Sequence, residues 1–497
     1  MTNISINKLF INKLSQSKKR KINKTSKLIK LTKKSYSRIK NITNYQKIIS
    51  SFYKFQNTIK THLIHYNDIV SKRIEQSAVD YLQLLEKQDY PEIVMAFKRI
   101  DISYRIQENL LQQLKIKDLP SNVRYATEDM TRGLAKYISR RFVDSLPHVE
   151  MVSNGFIKLW ECLTVFNVIP TNGNKGKFKV FHICEAPGQM ILSAQHFITK
   201  KRERIRQYEW FANSLNPFNI DVKKKYGRVL QDTYGMIRKN PGKWLWGADN
   251  TGDITNVANV KWFRNRILGY SSSDVSISKK EGVDLIIGDG GLGSGNDAIV
   301  LQRLDLAQVV MVLACSRNGG GCVIKHFTPY MTNHPESVNA SSFFISYLYL
   351  YYLAFEEVSL FKPYSSDMTS GEFYVIGKGF NGELIDDILE RVYNALDNFK
   401  VNNALFPRDA IPDSFVLQIL GFIEQMADYN VIGYEKSNLV LTCYKELQKQ
   451  QVSEDKKIKN KIKIEKSLYC NDFLNEDRIE EILVPRYNKW VRLYDFA

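Results

Sequence analysis

A short turn carries the first candidate chemistry in this sequence. The β-rich run Val180-Phe181-His182-Ile183-Cys184 leads into Glu185-Ala186-Pro187-Gly188-Gln189-Met190, followed by a helix candidate from Ile191 to Thr199. A strand that ends in small residues and opens a helix brings backbone N–H groups close to a ligand without side-chain obstruction. Many α/β proteins carry a glycine turn there, so the turn alone names no ligand. It is no P-loop, since no GxxxxGK motif follows, and it lacks the full GxGxxG of a dinucleotide site. Two more ionisable residues close strand-like runs: Asp289 after Val283-Asp284-Leu285-Ile286-Ile287, and Lys325 after Cys322-Val323-Ile324. Taken singly, an Asp before Gly-Gly reads as a turn residue and such a Lys as a side chain reaching for solvent.

The elements that must position these residues are legible from periodicity. Between about Lys177 and Phe380, short β-rich runs alternate with helical ones, the later strands being Val358–Phe361 and Phe373–Ile376. A helix candidate places Val300, Leu304, Ala307 and Met311 on one face, with Gly319-Gly320-Gly321 as its stop. The alternation indicates an α/β sheet with ligands at its strand C-termini. Helical patterns flank it: Val79, Leu82 and Leu85 before, and Leu384, Ile388, Val392 and Leu396 after. The expected organisation is a basic, flexible tail over 1–67, a helical region over 68–150, the α/β domain over 151–382 and a helical C-terminal region over 383–497.

The chain of 497 residues, 44% hydrophobic and 25% charged, suits a globular protein of two or three domains and excludes collagen-like or wholly disordered readings. Its net charge of +19 is uneven: sixteen Lys or Arg precede the first acidic residue, Asp68. Removing them from the total of 71 leaves 55 against 52 Asp+Glu, so the rest of the chain is nearly neutral. The tail is either an electrostatic arm for a polyanion, or a solvated or nuclear-localisation-like segment. The six cysteines form no CxxC pair or zinc-ligand grouping, which points to a reducing compartment and no metal. Ser337–Phe355 is uncharged but rich in Ser and Tyr, and reads as a buried helix beside the sheet, with no membrane span.

Five ordered segments resemble the FtsJ-like ribose 2′-O-methyltransferases, particularly the branch that modifies mRNA caps. They are Ser153-Asn154-Gly155-Phe156-Ile157-Lys158-Leu159, Ile183–Gly188 with its Glu-Ala-Pro-Gly, Val283–Gly291, Gly320–Phe327, and the closing hairpin from Phe361-Lys362-Pro363 through Ser365-Ser366 to Ser370–Ile376. The resemblance implies a Rossmann-like S-adenosylmethionine-dependent methyltransferase sheet and a catalytic tetrad of Lys158, Asp289, Lys325 and Glu372. A ribose hydroxyl is a poor nucleophile, so a group must take its proton, and a lysine near its usual pKa of about 10.4 cannot. A second lysine and burial would lower that value. Lys325 is therefore expected to act as the base, Asp289 and Lys158 as its tuning and positioning partners, and Glu372 as the orienting group.

For the cofactor, the resemblance implies contacts from Glu185, Ala186, Pro187, Gly188, Gln189 and Asp289, with Asn213 on the ribose hydroxyls and Asp253 on the adenine amine. Asp249 competes with Asp253 for that role. The family's usual second glycine is replaced by Gln189, which either narrows the site or adds a side-chain hydrogen bond. Lys243-Trp244-Leu245-Trp246 either stacks a base or packs in the core. The expected partner is RNA, a capped mRNA 5′ end, with other capping or transcription proteins as further candidates. The cytoplasm is the expected compartment, with the nucleus an alternative suggested by the tail. A ribosomal-RNA methyltransferase and a catalytically silent RNA- or partner-binding subunit are the other readings; an NAD oxidoreductase is disfavoured by the incomplete glycine turn.

Overall fold

The protein is represented by a computed structural model that describes residues 62–65, 90–113, 133–143, 152–169, 177–202, 205, 207–226, 231–269, 282–291, 298–329, 341–382, 385–454 and 476–494. Residues 1–61, 66–89 and the lysine-rich 456–466 lie outside them. Strand β1 (His62–His65) is followed by helices α1 (Pro91–Gln113) and α2 (Gly133–Val143). Helix α3 (Asn154–Phe166) begins where Ser153 Oγ accepts from the Phe156 amide and ends at Asn167 in the left-handed conformation. Then come β2 (Lys177–Ile183), α4 (Gln189–Lys201), β3 (Gln207–Asn213), β4 (Trp244–Leu245) and α5 (Val257–Leu268). The second half runs β5 (Val283–Gly288), α6 (Ala298–Cys315), β6 (Ser316–Phe327), α7 (Ser341–Ala354), β7 (Phe355–Phe361) and β8 (Glu372–Phe380). Helices α8 (Ile385–Asp397), α9 (Asp413–Glu454) and α10 (Glu476–Tyr494) follow.

The strands form one mixed eight-stranded sheet in the order β1-β7-β8-β6-β5-β2-β3-β4. From β4 to β6 the pairs are parallel; β8 inserts antiparallel between β6 and β7, and β1 pairs antiparallel with β7. Every residue of β5 is buried, as a strand covered on both faces requires. Helices α5 to α9 contribute to the core on one face, and α2, α3, α4 and α10 to the core on the other. The chain runs outward from β2 through β3 to β4, then returns to β5 on the opposite side of β2. Such a reversal opens a crevice at the strand C-termini. The Asp289 amide donates to the Ile183 carbonyl at 3.2 Å, closing the end of that β2–β5 pair.

Two local readings change. Gly319-Gly320-Gly321 does not stop a helix: α6 ends at Cys315 and the glycines lie inside β6. There the β5–β6 register shifts between Val283 and Leu285, Gly319 takes φ +69°, and a Cβ on Gly320 would stand 2.8 Å from the Arg317 carbonyl. Glycines supply this bulge because the backbone folds too tightly for a side chain. Within the stretch read as a basic tail, His62–His65 pairs with Leu360–Glu357 of β7. Helix α7 buries all fourteen of its residues, and among the described residues no helix is long and apolar enough to cross a membrane.

Candidate active site

Four elements converge at the crevice. Lys158 comes from the first turns of α3, Asp289 from the end of β5, Lys325 from the C-terminal part of β6 and Glu372 from the start of β8. They form two ion pairs: Lys325 Nζ lies 2.6 Å from Asp289 Oδ1, and Lys158 Nζ lies 2.6 Å from Glu372 Oε1. The pairs act on one another. Burial alone would raise the Glu372 pKa, but the charges of Lys158, Lys325 and Lys362 outweigh it and pull it down to about 2.

The expected lowering of the Lys325 pKa is not found. Burial does oppose its ammonium, but Asp289 and Glu372 more than compensate, and the pKa rises. The downward shift falls instead on Lys362, where burial, only partly offset by Glu372 and Asp367, brings it to about 8. Lys362 Nζ donates to the Ser370 carbonyl at 2.7 Å, inside the loop that presents Glu372.

Glu372 yields an acid-side prediction. A carboxyl whose folded pKa lies below its ordinary 4.5 adds stability above that pH and loses it as pH falls toward 2. Denaturant melts from pH 5 to 2 should show the gap between wild type and Glu372→Gln shrinking, by on the order of 3 kcal/mol. A constant gap would mean that Glu372 is not held ionised.

At the turn after β2, Ala186, Pro187 and Gly188 are buried, and Gly188 takes φ +112°. Glu185 faces inward: its Oε1 accepts from the Met190 and Ile191 amides at 2.7 and 3.4 Å, which places a carboxylate at the N-terminus of α4. Burial and neighbouring Asp289 raise its pKa. The Gln189 side chain joins the start of α4 to the N-cap of α3, because Ser153 Oγ donates to Gln189 Oε1. A Cβ on Gly155 would stand 2.9 Å from that oxygen, so a larger residue there would make the Gln189 side chain shift.

At the far end of the crevice, Asn213 is fully buried and donates to the carbonyls of Leu245 and Gly252 at 3.3 and 3.0 Å. Its NH₂ thus braces the turn before Asp253, and only Oδ1, which has no partner among the described residues, remains for a ligand. Asp253 accepts from the Thr255 amide and hydroxyl at 2.9 and 2.7 Å, from Lys225 at 3.3 Å and from the Tyr226 hydroxyl. Burial would raise its pKa; these partners overcome that and lower it. Asp249 and Asp253 line one cavity of about 260 Å³ together with Lys225, Tyr226 and Arg303. Trp244 is buried against Trp210 and stacks on Trp246 with centroids 6.0 Å apart, so it packs in the core.

Two site residues had no role in the sequence reading. Ser366 Oγ donates to Glu372 Oε1 at 3.0 Å. Gln308, fully buried on α6, accepts from the Gly290 amide and donates to the Lys325 carbonyl, both at 3.0 Å, so one side chain ties the Asp289 turn to the Lys325 strand. A glutamine beside Ala307 on an apolar helix face was the available signal, since a buried amide needs partners.

The family model for FtsJ-like methyltransferases matches residues 151–380. A protein of Acanthamoeba polyphaga mimivirus, L511, is 27% identical over 411 residues, which is 80% of this chain and 47% of that protein. Cap-specific mRNA (nucleoside-2′-O-)-methyltransferase 2 of Pongo abelii is 28% identical over 327 residues, 65% of this chain and 38% of that one. The "Probable methyltransferase EP424R" of African swine fever virus is 27% identical over 310 residues, 58% and 63% of the two chains. The chain thus spans less than two thirds of each of these relatives. The matched segment contains β2 to β8, both ion pairs and the turn after β2; residues 151–380 are an FtsJ-like methyltransferase domain.

Proposed function

We propose that the chain is an S-adenosylmethionine-dependent RNA ribose 2′-O-methyltransferase that modifies a cap-proximal nucleotide of mRNA. The observation that carries this reading is the convergence of Lys158, Asp289, Lys325 and Glu372 as two mutually coupled ion pairs beside the turn after β2. The name of the Pongo abelii relative, together with the viral relatives, supports the cap as the substrate class.

FtsJ-like methyltransferases use S-adenosylmethionine, and the residues present fit it. Asn213 offers a buried, unpartnered Oδ1, Asp253 is held ionised at a cavity wall, and the Gly188 turn opens α4. When bound, the cofactor supplies a methyl group on a sulfonium, whose positive charge disfavours a nearby ammonium. Asp289 orients Lys325 through its 2.6 Å contact, and Glu372 does the same for Lys158. With only 12% of its side chain exposed, Lys325 is the group placed to take the ribose hydroxyl proton, while Lys158 and Asp289 hold the hydroxyl in line. The unpaired thiols of Cys162, Cys184, Cys315 and Cys322 suit a reducing compartment, the cytoplasm.

The test offers capped and uncapped short RNAs with labelled S-adenosylmethionine and locates the methyl group. The expected result is label on a ribose 2′-oxygen next to the cap. Label on a base, or on no RNA, overturns the reading, and label on uncapped ribosomal RNA alone overturns the cap assignment.

A further inference from the structure

We propose that Glu161 is a positioning residue for this site, coupling the helix that carries Lys158 to the turn that carries Glu372 and both of them to the C-terminal helix α10. The inference rests on the methyltransferase reading of the site.

Glu161 lies three residues beyond Lys158 on α3 and is fully buried. Its carboxyl group accepts from the Tyr364 amide at 2.5 Å, the Ser365 amide at 3.1 Å and Trp490 Nε1 at 2.8 Å, all of them neutral donors. The neighbour of Ser365, Ser366, donates to Glu372, and Glu372 pairs with Lys158. The connections close into a ring: Glu161, the Tyr364–Ser366 backbone, Glu372, Lys158 and one turn of α3. A ring of this kind fixes the spacing between a helix and a loop that are some 200 residues apart in sequence, as the separation of 203 between Glu161 and Tyr364 shows.

An apolar side chain would fill the same volume without the penalty of a buried charge. That penalty is visible here, since burial lifts the Glu161 pKa to about 7 despite hydrogen bonds that lower it. Three converging N–H groups need an acceptor with several lone pairs, which the two oxygens of a carboxyl group offer. Beyond the residues matched by the family model, α10 completes the arrangement: Trp490 is fully buried, and Trp160 Nε1, next to Glu161, donates to the Tyr494 carbonyl at 3.0 Å. The C-terminal helix is thus wired to the active-site framework by two indole hydrogen bonds.

The experiment measures steady-state methyl transfer to RNA by the full chain for wild type, Glu161→Gln, Trp490→Phe, Ser366→Ala and the Glu161→Gln/Ser366→Ala double variant. Glu161→Gln turns one acceptor into a donor among three donors, and a small misplacement suffices to cost about tenfold in kcat, with KM for RNA and for S-adenosylmethionine within about twofold of wild type. Trp490→Phe, which removes one donor and keeps the ring's bulk, should lose about threefold in kcat on the same basis. Because Ser366 sits on the same ring, the double variant should lose no more than Glu161→Gln alone. Unchanged kcat in Glu161→Gln, additive losses in the double variant, or a rise in KM with kcat intact overturns the proposal. If Glu161→Gln does not fold, Trp490→Phe decides, and unchanged kcat there overturns it. A wild-type chain that methylates no RNA overturns the functional reading itself, whereas an active wild type with an indifferent Glu161→Gln overturns this inference alone.

Discussion

Replacing Lys325 with alanine is expected to lower the single-turnover rate of RNA methyl transfer by about 10³-fold, within the range that removal of a general base produces. The expectation follows from position more than from basicity. Lys325 Nζ sits on Asp289, which terminates β5 next to the turn after β2, and the lysine backbone is itself fixed by the Gln308 bridge. Asp289 and Glu372 favour the protonated amine, so the base form must be won from an environment that favours the ammonium. The pH–rate profile should therefore rise toward alkaline pH, and Lys325→Arg, which keeps the charge but cannot give up its proton, should be as impaired as the alanine variant. The fold should survive, because Asp289 is 25% exposed and can be solvated once its partner is gone. A Lys325→Ala protein with near-wild-type single-turnover rates would remove Lys325 from the chemistry.

The largest structural effect is expected at Gly252. It takes φ +74°, and a Cβ there would stand 1.8 Å from the Ser214 carbonyl oxygen, a backbone atom that cannot rotate away. The same residue is held at both ends, its amide donating to the Trp246 carbonyl at 2.7 Å and its carbonyl accepting from Asn213. Gly252→Ala combines a left-handed backbone with a collision, the class of change that costs about 4 kcal/mol or more. The turn opens toward Asp253, so S-adenosylmethionine affinity should fall with stability. Urea unfolding and cofactor titration of the purified variant give the check, and a midpoint equal to wild type would mean that the turn is not built as described. Gly242, with no atom within 4 Å of an added Cβ, is the matched control: Gly242→Ala should leave both measurements unchanged.

The sequence shows the scaffold of the site better than its electrostatics. The apolar runs of β2, β5 and β6 announce a sheet because strands buried on both faces have no polar alternation to confuse the reading. The ordered motifs also place Lys158, Asp289, Lys325 and Glu372 on four strand or helix ends that the fold brings together. The direction of the Lys325 shift was not legible, since it depends on which carboxylate stands at 2.6 Å and which lysine lies further off. Swapping the expected lysine–lysine contact for two lysine–carboxylate pairs reverses the sign. Gly319-Gly320-Gly321 misled for a related reason: a glycine run announces a tight backbone but not whether a helix stop or a strand bulge uses it. Asn213 shows a third limit, because an asparagine at a strand end can spend its amide on the backbone before any ligand arrives.

The hydrogen bonds that join α3 to α10 also set a timetable for biosynthesis. Trp160 and its Tyr494 partner are 334 residues apart, and Glu161 and Trp490 are 329 apart. At about 5–20 residues per second a ribosome needs roughly 20–70 s to make the intervening chain. During that interval the face of α3 that Trp490 and Tyr494 will cover is open, and the ring around Glu161 lacks its indole. With the role proposed for Glu161, the spacing between Lys158 and Glu372 is expected to be fixed only after the parallel strands on which the site stands have left the ribosome.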